Sequence, residues 1–372
     1  MAENTPFDVL TTTAVDLQRL LRENKISSVQ IVESYLAQVK QHDAELRCFI
    51  SVAPRETLLR AAASLDGERM QGKTRGALHG IPIVLKDNFV TAMELGMGTT
   101  AGSWALVGAK ATANSAVAQK LLDAGLLILG KTNMTEFAGM KMTMISPGWS
   151  PVGGQTVSPY TGPIIQGETL LGHSAPGGSS TGSAVAVAAG FSPLALGTET
   201  IGSIITPASR AALYALKPTV GVQNSAGMYS LTDFYDSPGP MAKCAADVLA
   251  LTEVLLGRSF ARSALDPGSW DGLSVGFLDP SIWRMAEAMC RQHGGTAEQM
   301  VDVPPPSLRI AMLTPISQRE EYQDAIARLE KAGCAVKCPV EIADISALTV
   351  DGEQAIMPIA CEYNGPFANP SR

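Results

Sequence analysis

With 372 residues, 46% of them hydrophobic and 17% charged, the chain can bury a large core and reads as a compact α/β protein rather than a disordered scaffold. A net charge of −7 argues against nonspecific nucleic-acid binding, which needs a basic face. No apolar run of about 18 residues marks a membrane span.

The N-terminus MAENTPFDVL does not read as a signal sequence. Six scattered cysteines (Cys48, Cys244, Cys290, Cys334, Cys338 and Cys361) suit free thiols, so the cytoplasm is the expected location. Cys334 and Cys338 resemble half a metal site, but nothing nearby completes it, and they read as a core thiol and a surface thiol.

Residues 13–24 and 28–41 carry apolar side chains at helical spacing, with Thr13 and Ser27 or Ser28 as N-caps. Gln30 closes a capping box on Ser27. A polar, alanine-rich helix is expected at about 54–70. Gly80-Ile-Pro-Ile-Val-Leu85 then reads as a short buried strand ending at Lys86. Helix 114–124 leads into a strand at 126–129, and 145–176 is loop-like. Next come helix 182–189, strand 194–197, helix 245–257 and strand 273–278. The GG and PPP of 291–308 suggest a linker or irregular insertion, followed by strand 309–313, helix 318–332 and strand 334–340. This alternation points to an α/β fold.

Gly125-Leu-Leu-Ile-Leu-Gly130-Lys131-Thr132 spells a phosphate-binding loop, but four large apolar residues between the glycines predict an extended strand instead. Gly178-Ser179-Ser180-Thr181-Gly182 spells a nucleophile elbow. It lacks the preceding hydrophobic strand, and His293 is the only histidine after it. A lysine base fits better. Lys86 ends a buried strand, and the stretch 176–207 holds two glycine-rich turns carrying Ser179 and Ser203.

Six segments then resemble the amidase signature family: LHGIPIVLKDN (78–88), TTAGS (99–103), LLDAGLLILGKTNMTEFAG (121–139), PGGSSTGSAVAVAAG (176–190), LALGTETIGSIITPA (194–208) and ALKPTVG (215–221). The resemblance implies one domain with a mixed, twisted sheet wrapped by helices. Its N-terminal helices would occupy 1–75, the signature core 76–260, and a divergent part shorter than the family's 261–372.

The resemblance also implies a Ser-Ser-Lys triad, with Ser203 as nucleophile, Ser179 as proton relay behind a cis Gly178–Ser179 peptide, and Lys86 as base. Backbone N–H groups of Thr200, Ile201, Gly202 and Ser203 would form the oxyanion hole. The substrate would be a small-molecule amide, with no metal or organic cofactor, and a homodimer stays open. A lysine base needs a depressed pKa, which burial without a carboxylate partner supplies. Asp87 should face away from Lys86, because neighbouring strand residues point to opposite sides.

Four positions depart from the family pattern: Glu199 for aspartate, Ile201 for glycine, Ile205 for arginine and Thr181 for glycine. A positive φ at position 201 would strain a β-branched side chain and spoil the oxyanion hole. Two alternatives therefore stand beside an active amidase: a catalytically impaired member retained for binding, and the ammonia-generating subunit of a glutamine-dependent tRNA amidotransferase. Met140, Met142, Met144, Trp149 and Tyr160 either line an acyl pocket or pack ordinarily.

Overall fold

The computed structural model describes residues 7–141, 146–165, 172, 174–260, 269–278, 318–340, 349–350 and 353–354. They fall into two compact units, one holding the residues up to 260 and the other those from 269 onward.

The first helices form where their caps direct. α1 (Ala14–Arg22) begins at Thr13, whose hydroxyl accepts from Asp16 N while the Asp16 carboxylate accepts from Thr13 N–H. α2 (Ser28–Leu46) carries the expected box between Ser27 and Gln30. It runs past the expected end at 41 and stops at Arg47, which adopts the left-handed conformation at φ 51°. β1 (Phe49–Val52) adds to the expected elements, and α3 (Arg55–Met70) follows it where a helix is predicted.

β2 (Pro82–Lys86), α4 (Ala116–Asp123) and β3 (Leu127–Thr132) come next, then the two-residue strands β4 (Trp149–Ser150) and β5 (Gly154–Gln155). α5 (Thr181–Ala188) and β6 (Leu194–Glu199) carry the serine-rich signature. α6 (Ile205–Arg210), β7 (Tyr214–Ala215), β8 (Ser237–Ala242) and α7 (Ala245–Leu256) close the first unit.

The sheet order is β1-β3-β2-β6-β8-β7. β3, β2 and β6 run parallel at its centre, while β1, β8 and β7 pair antiparallel toward the edges. This mixed sheet is the predicted α/β architecture. Every residue of β2, β3, β6 and β8 is buried, as central strands covered on both faces require.

α5 is buried on nearly all sides and lies so close to its neighbours that position 182 must be glycine. A Cβ there would sit 2.4 Å from Asn133 O and 2.7 Å from Cys48 O. Gly182 N–H instead donates to Asn133 O, which fixes the start of the helix and the two serines before it. β3 runs straight through Gly130, Lys131 and Thr132, so the phosphate-loop spelling is strand, as its apolar residues predict.

In the second unit, β9 (Ser274–Gly276) pairs in parallel with β10 (Ala335–Lys337), and α8 (Gln318–Lys331) precedes β10. Cys334 is a buried free thiol and Cys338 an exposed one. The linker expected at 291–308 and the strand expected at 309–313 lie outside the described residues. No helix among the described residues is long and apolar enough to cross a membrane.

Candidate active site

Lys86 closes β2 with its whole side chain buried. Its Nζ lies 2.7 Å from Ser179 Oγ, 2.9 Å from Thr198 Oγ1 and 3.1 Å from Thr198 O. Burial holds its pKa down at about 7, against the opposing pull of the Asp236 and Glu199 charges.

A neutral amine has two N–H bonds and one lone pair. Thr198 O can only accept, and Thr198 Oγ1 already accepts from Asn88 Nδ2 at 3.0 Å. Sending both Lys86 N–H bonds to Thr198 would leave the lone pair for the Ser179 hydroxyl proton, the arrangement a base requires. Thr198 and Asn88 thus set the orientation of the amine.

The loop before α5 turns on two consecutive left-handed glycines, Gly177 at φ 80° and Gly178 at φ 56°. The cis peptide expected at Gly178–Ser179 is absent, and the one cis bond among the described residues is Cys338–Pro339. Two glycines free to take positive φ reverse the chain with trans peptides, which corrects the expectation. A Cβ on Gly178 would meet Pro207 Cδ at 2.4 Å and Gly202 O at 3.2 Å, so this loop lies directly against the Ser203 turn. Ser180 joins the two, with its N–H donating to Ser203 O at 3.1 Å and its hydroxyl to Thr198 O at 3.0 Å.

Ser203 sits in the turn between β6 and α6. Gly202 carries the positive φ, 76°, and Ile201 is not among the positive-φ residues. The strain envisaged at Ile201 therefore does not arise. Its side chain is 86% exposed. Glu199 Oε2 accepts from Ile204 N at 2.6 Å and Ile205 N at 2.9 Å, so a buried carboxylate pins this turn through backbone groups without an arginine. Thr200 Oγ1 donates to Asp236.

Among the described residues nothing accepts from the N–H groups of Ile201, Gly202 or Ser203, and no hydrogen bond links Ser203 Oγ to Ser179. The structure brings Lys86 and Ser179 together and sets Ser203 on the adjoining turn.

Asp87 faces the other way, as strand alternation requires. Its carboxylate accepts from Thr100 N at 3.0 Å and lies 3.4 Å from Lys131 Nζ. Lys131 also donates to Phe89 O at 2.6 Å and Thr99 Oγ1 at 2.7 Å. Burial lowers its pKa to about 8, with Asp87 opposing the shift. Sequence reasoning missed Thr198, Asn88, Asp236 and this second buried lysine. The signal for Lys131 is its place in β3, two residues after the buried Leu129 and on the same face of the strand.

Met140 is 69% exposed and Tyr160 51%, which does not fit the lining of an apolar pocket; Met142 and Met144 lie outside the described residues. A cavity of about 430 Å³ lies elsewhere, between Thr91, Met93, Met97, Lys110 and Tyr229. Tyr229 adjoins the site, because its carbonyl accepts from Asn88 Nδ2.

The family model described as Amidase matches residues 30–348. The chain belongs to the amidase family. It is 35% identical to a glutamyl-tRNA(Gln) amidotransferase subunit from Symbiobacterium thermophilum over 329 residues, which is 87% of this chain and 59% of the relative. A protein of Arthroderma benhamiae named as an amidase is 36% identical over 244 residues, covering 66% of this chain and 39% of the relative. The native peptide amidase of Stenotrophomonas maltophilia superposes with a TM-score of 0.68 at 33% identity, over 89% of this chain and 62% of that one. The chain thus spans roughly two fifths to three fifths of the length of its relatives.

Proposed function

We propose that this amidase-family chain hydrolyses a carboxylic amide to an acid and ammonia or an amine, through an acyl-enzyme on Ser203. The observation that supports the reading is the 2.7 Å contact of a fully buried Lys86 amine, its pKa lowered to about 7, with Ser179 Oγ. Such an amine is a competent base near pH 7.

In this reading Ser203 Oγ attacks the amide carbon while its proton passes to Ser179 Oγ, whose own proton passes to Lys86 Nζ. The carbonyl oxygen becomes an oxyanion that takes hydrogen bonds from backbone N–H groups of 200–203, a donor type worth about 3–4 kcal/mol each in the transition state. Lys86 then returns its proton through Ser179 to the leaving nitrogen, and the C–N bond breaks. Water attacks the acyl-enzyme by the same relay, releasing the acid and restoring Ser203. The relay requires Ser203 Oγ to come within hydrogen-bond reach of Ser179 Oγ.

A second reading, in which the chain generates ammonia for an amidotransferase, is supported by the similarity to the Symbiobacterium protein. Ile205 stands where the family's arginine would offer a positive charge to an amino-acid carboxylate, and that weighs against it. The test is labelling with a serine-directed fluorophosphonate and turnover of a panel of amides, glutamine included. Labelling and turnover lost in Ser203→Ala support the nucleophile. Activity that survives Ser203→Ala overturns it, and a wild-type chain that neither labels nor turns over points to the impaired, ligand-binding member. Turnover confined to glutamine selects the amidotransferase reading.

A further inference from the structure

Thr181, which stands where the family pattern has glycine, opens α5 with its side chain fully buried. Its hydroxyl faces the carbonyl oxygens of Gly177 and Gly178, the latter at 2.7 Å. These are the two left-handed glycines of the loop that leads into Ser179. Among the described residues no backbone N–H reaches either oxygen, and Gly182 N–H goes to Asn133 O instead. Thr135 Oγ1 also approaches Gly178 O, but at 3.5 Å, long for a hydroxyl hydrogen bond. A threonine can bond back to carbonyls three and four residues earlier, and here it serves two that the helix leaves over.

The fit is built from both sides. Gly148 has φ 79°, and a Cβ placed on it would lie 2.8 Å from both Thr181 Cβ and Thr181 Cγ2. The missing side chain at 148 therefore makes the room that Thr181 fills. Gly148 N–H donates to Thr135 Oγ1 at 2.8 Å, and Thr135 N–H donates to Ser179 O at 3.2 Å. Ser179 is thus gripped through the loop before it and at its own carbonyl, with its hydroxyl 2.7 Å from Lys86 Nζ.

We propose that Thr181 is a positioning residue whose hydroxyl clamps the Gly177 and Gly178 carbonyls and so holds Ser179 Oγ against Lys86 Nζ. It acts through Ser179, and its effect on turnover rests on the reading of Ser179 as the proton relay.

The test reads turnover and the titration of Lys86 separately in the full chain. Thr181→Val keeps the shape and removes the hydroxyl. Its kcat should fall about tenfold with little change in KM, and Thr181→Ser should restore most of it. The second readout is the titration midpoint of Lys86 by NMR with isotope-labelled lysine Cε, the signal assigned by its loss in Lys86→Met. Charge-assisted hydrogen bonds are about twice as strong as neutral ones, so a receding Ser179 Oγ costs the ammonium more than the amine. The midpoint should drop by about half a pH unit in Thr181→Val and stay at the wild-type value in Thr181→Ser. The Asp236 and Glu199 charges that act on Lys86 are the same in every variant. Thr181→Ala carries the same test if Thr181→Val does not fold. A folded Thr181→Val or Thr181→Ala whose midpoint stays put or rises overturns the clamp, whatever its turnover. A wild type that turns over no amide would end the relay reading, and the midpoints would still decide the clamp.

Discussion

Lys131 Nζ lies 3.4 Å from Asp87 Oδ1, with both side chains fully buried. The pair removes from the Lys86 surroundings the one carboxylate that adjoins it in sequence, and burial lowers the Lys86 pKa to about 7. Replacing Lys131 with methionine leaves Asp87 charged and uncompensated and should cost about 3–5 kcal/mol. Urea unfolding of Lys131→Met against the double variant Lys131→Met/Asp87→Asn checks this. The double variant should recover much of the loss, and equal losses in both would contradict it.

The pH dependence follows from Lys86. In the proposed mechanism its neutral form is the base, so kcat/KM should rise with pH and level off above about 7. Asp236 raises this pKa, so Asp236→Asn should move the rising limb to lower pH. A pH–rate profile that moves toward alkaline pH would refute the assignment.

The same group shapes stability. Its folded pKa of about 7 lies below the ordinary 10.5, so the unfolded chain binds more protons between those values, and stability rises with pH across that window. Lys86→Met should therefore be more stable than wild type below pH 7, by on the order of 5 kcal/mol. Chemical unfolding at several pH values should show that advantage shrinking toward pH 10.5.

Thr198 accepts from both Lys86 and Asn88 through one hydroxyl. Thr198→Val keeps the shape and removes the acceptor, so the amine loses its fixed orientation. We expect kcat to fall about 10- to 100-fold with little change in KM, and Thr198→Ser to restore most of it. Steady-state kinetics on an amide substrate decides.

Glu199 accepts from Ile204 N and Ile205 N behind the Ser203 turn. Glu199→Ala strands two N–H groups, one of them on the buried Ile204, and should cost about 1–3 kcal/mol. Glu199→Gln retains a carbonyl acceptor and should be milder. Comparing their melting temperatures and fluorophosphonate labelling rates separates a fold defect from a displaced nucleophile.

Much of this arrangement is legible in the chain, because local signals and tertiary demands agree there. Ile83, Val84 and Leu85 announce a buried strand, and the capping boxes on Thr13 and Ser27 announce the first helices. β8 is not legible in this way: its sequence SPGPMA has two prolines and a glycine, which argue against a central strand. It pairs with β6 along its whole length, and Gly239 admits the close approach of Leu216 O, 2.1 Å from where a Cβ would stand.

In the site, Lys86 and Ser179 follow from the signature spacing. Thr198 and Asn88 reach them from strand and loop positions about 110 residues apart, and no local pattern encodes that meeting. Lys131 is hidden inside a misleading spelling.

The division of labour between Gly202 and Ile201 frees one position for molecular tinkering. The glycine absorbs the whole bend of the turn, so its outward-facing neighbour can be swapped for small, bulky or charged side chains while the hydroxyl behind it stays in register. A saturation library at that single codon would therefore test how far the turn tolerates a new side chain beside Ser203.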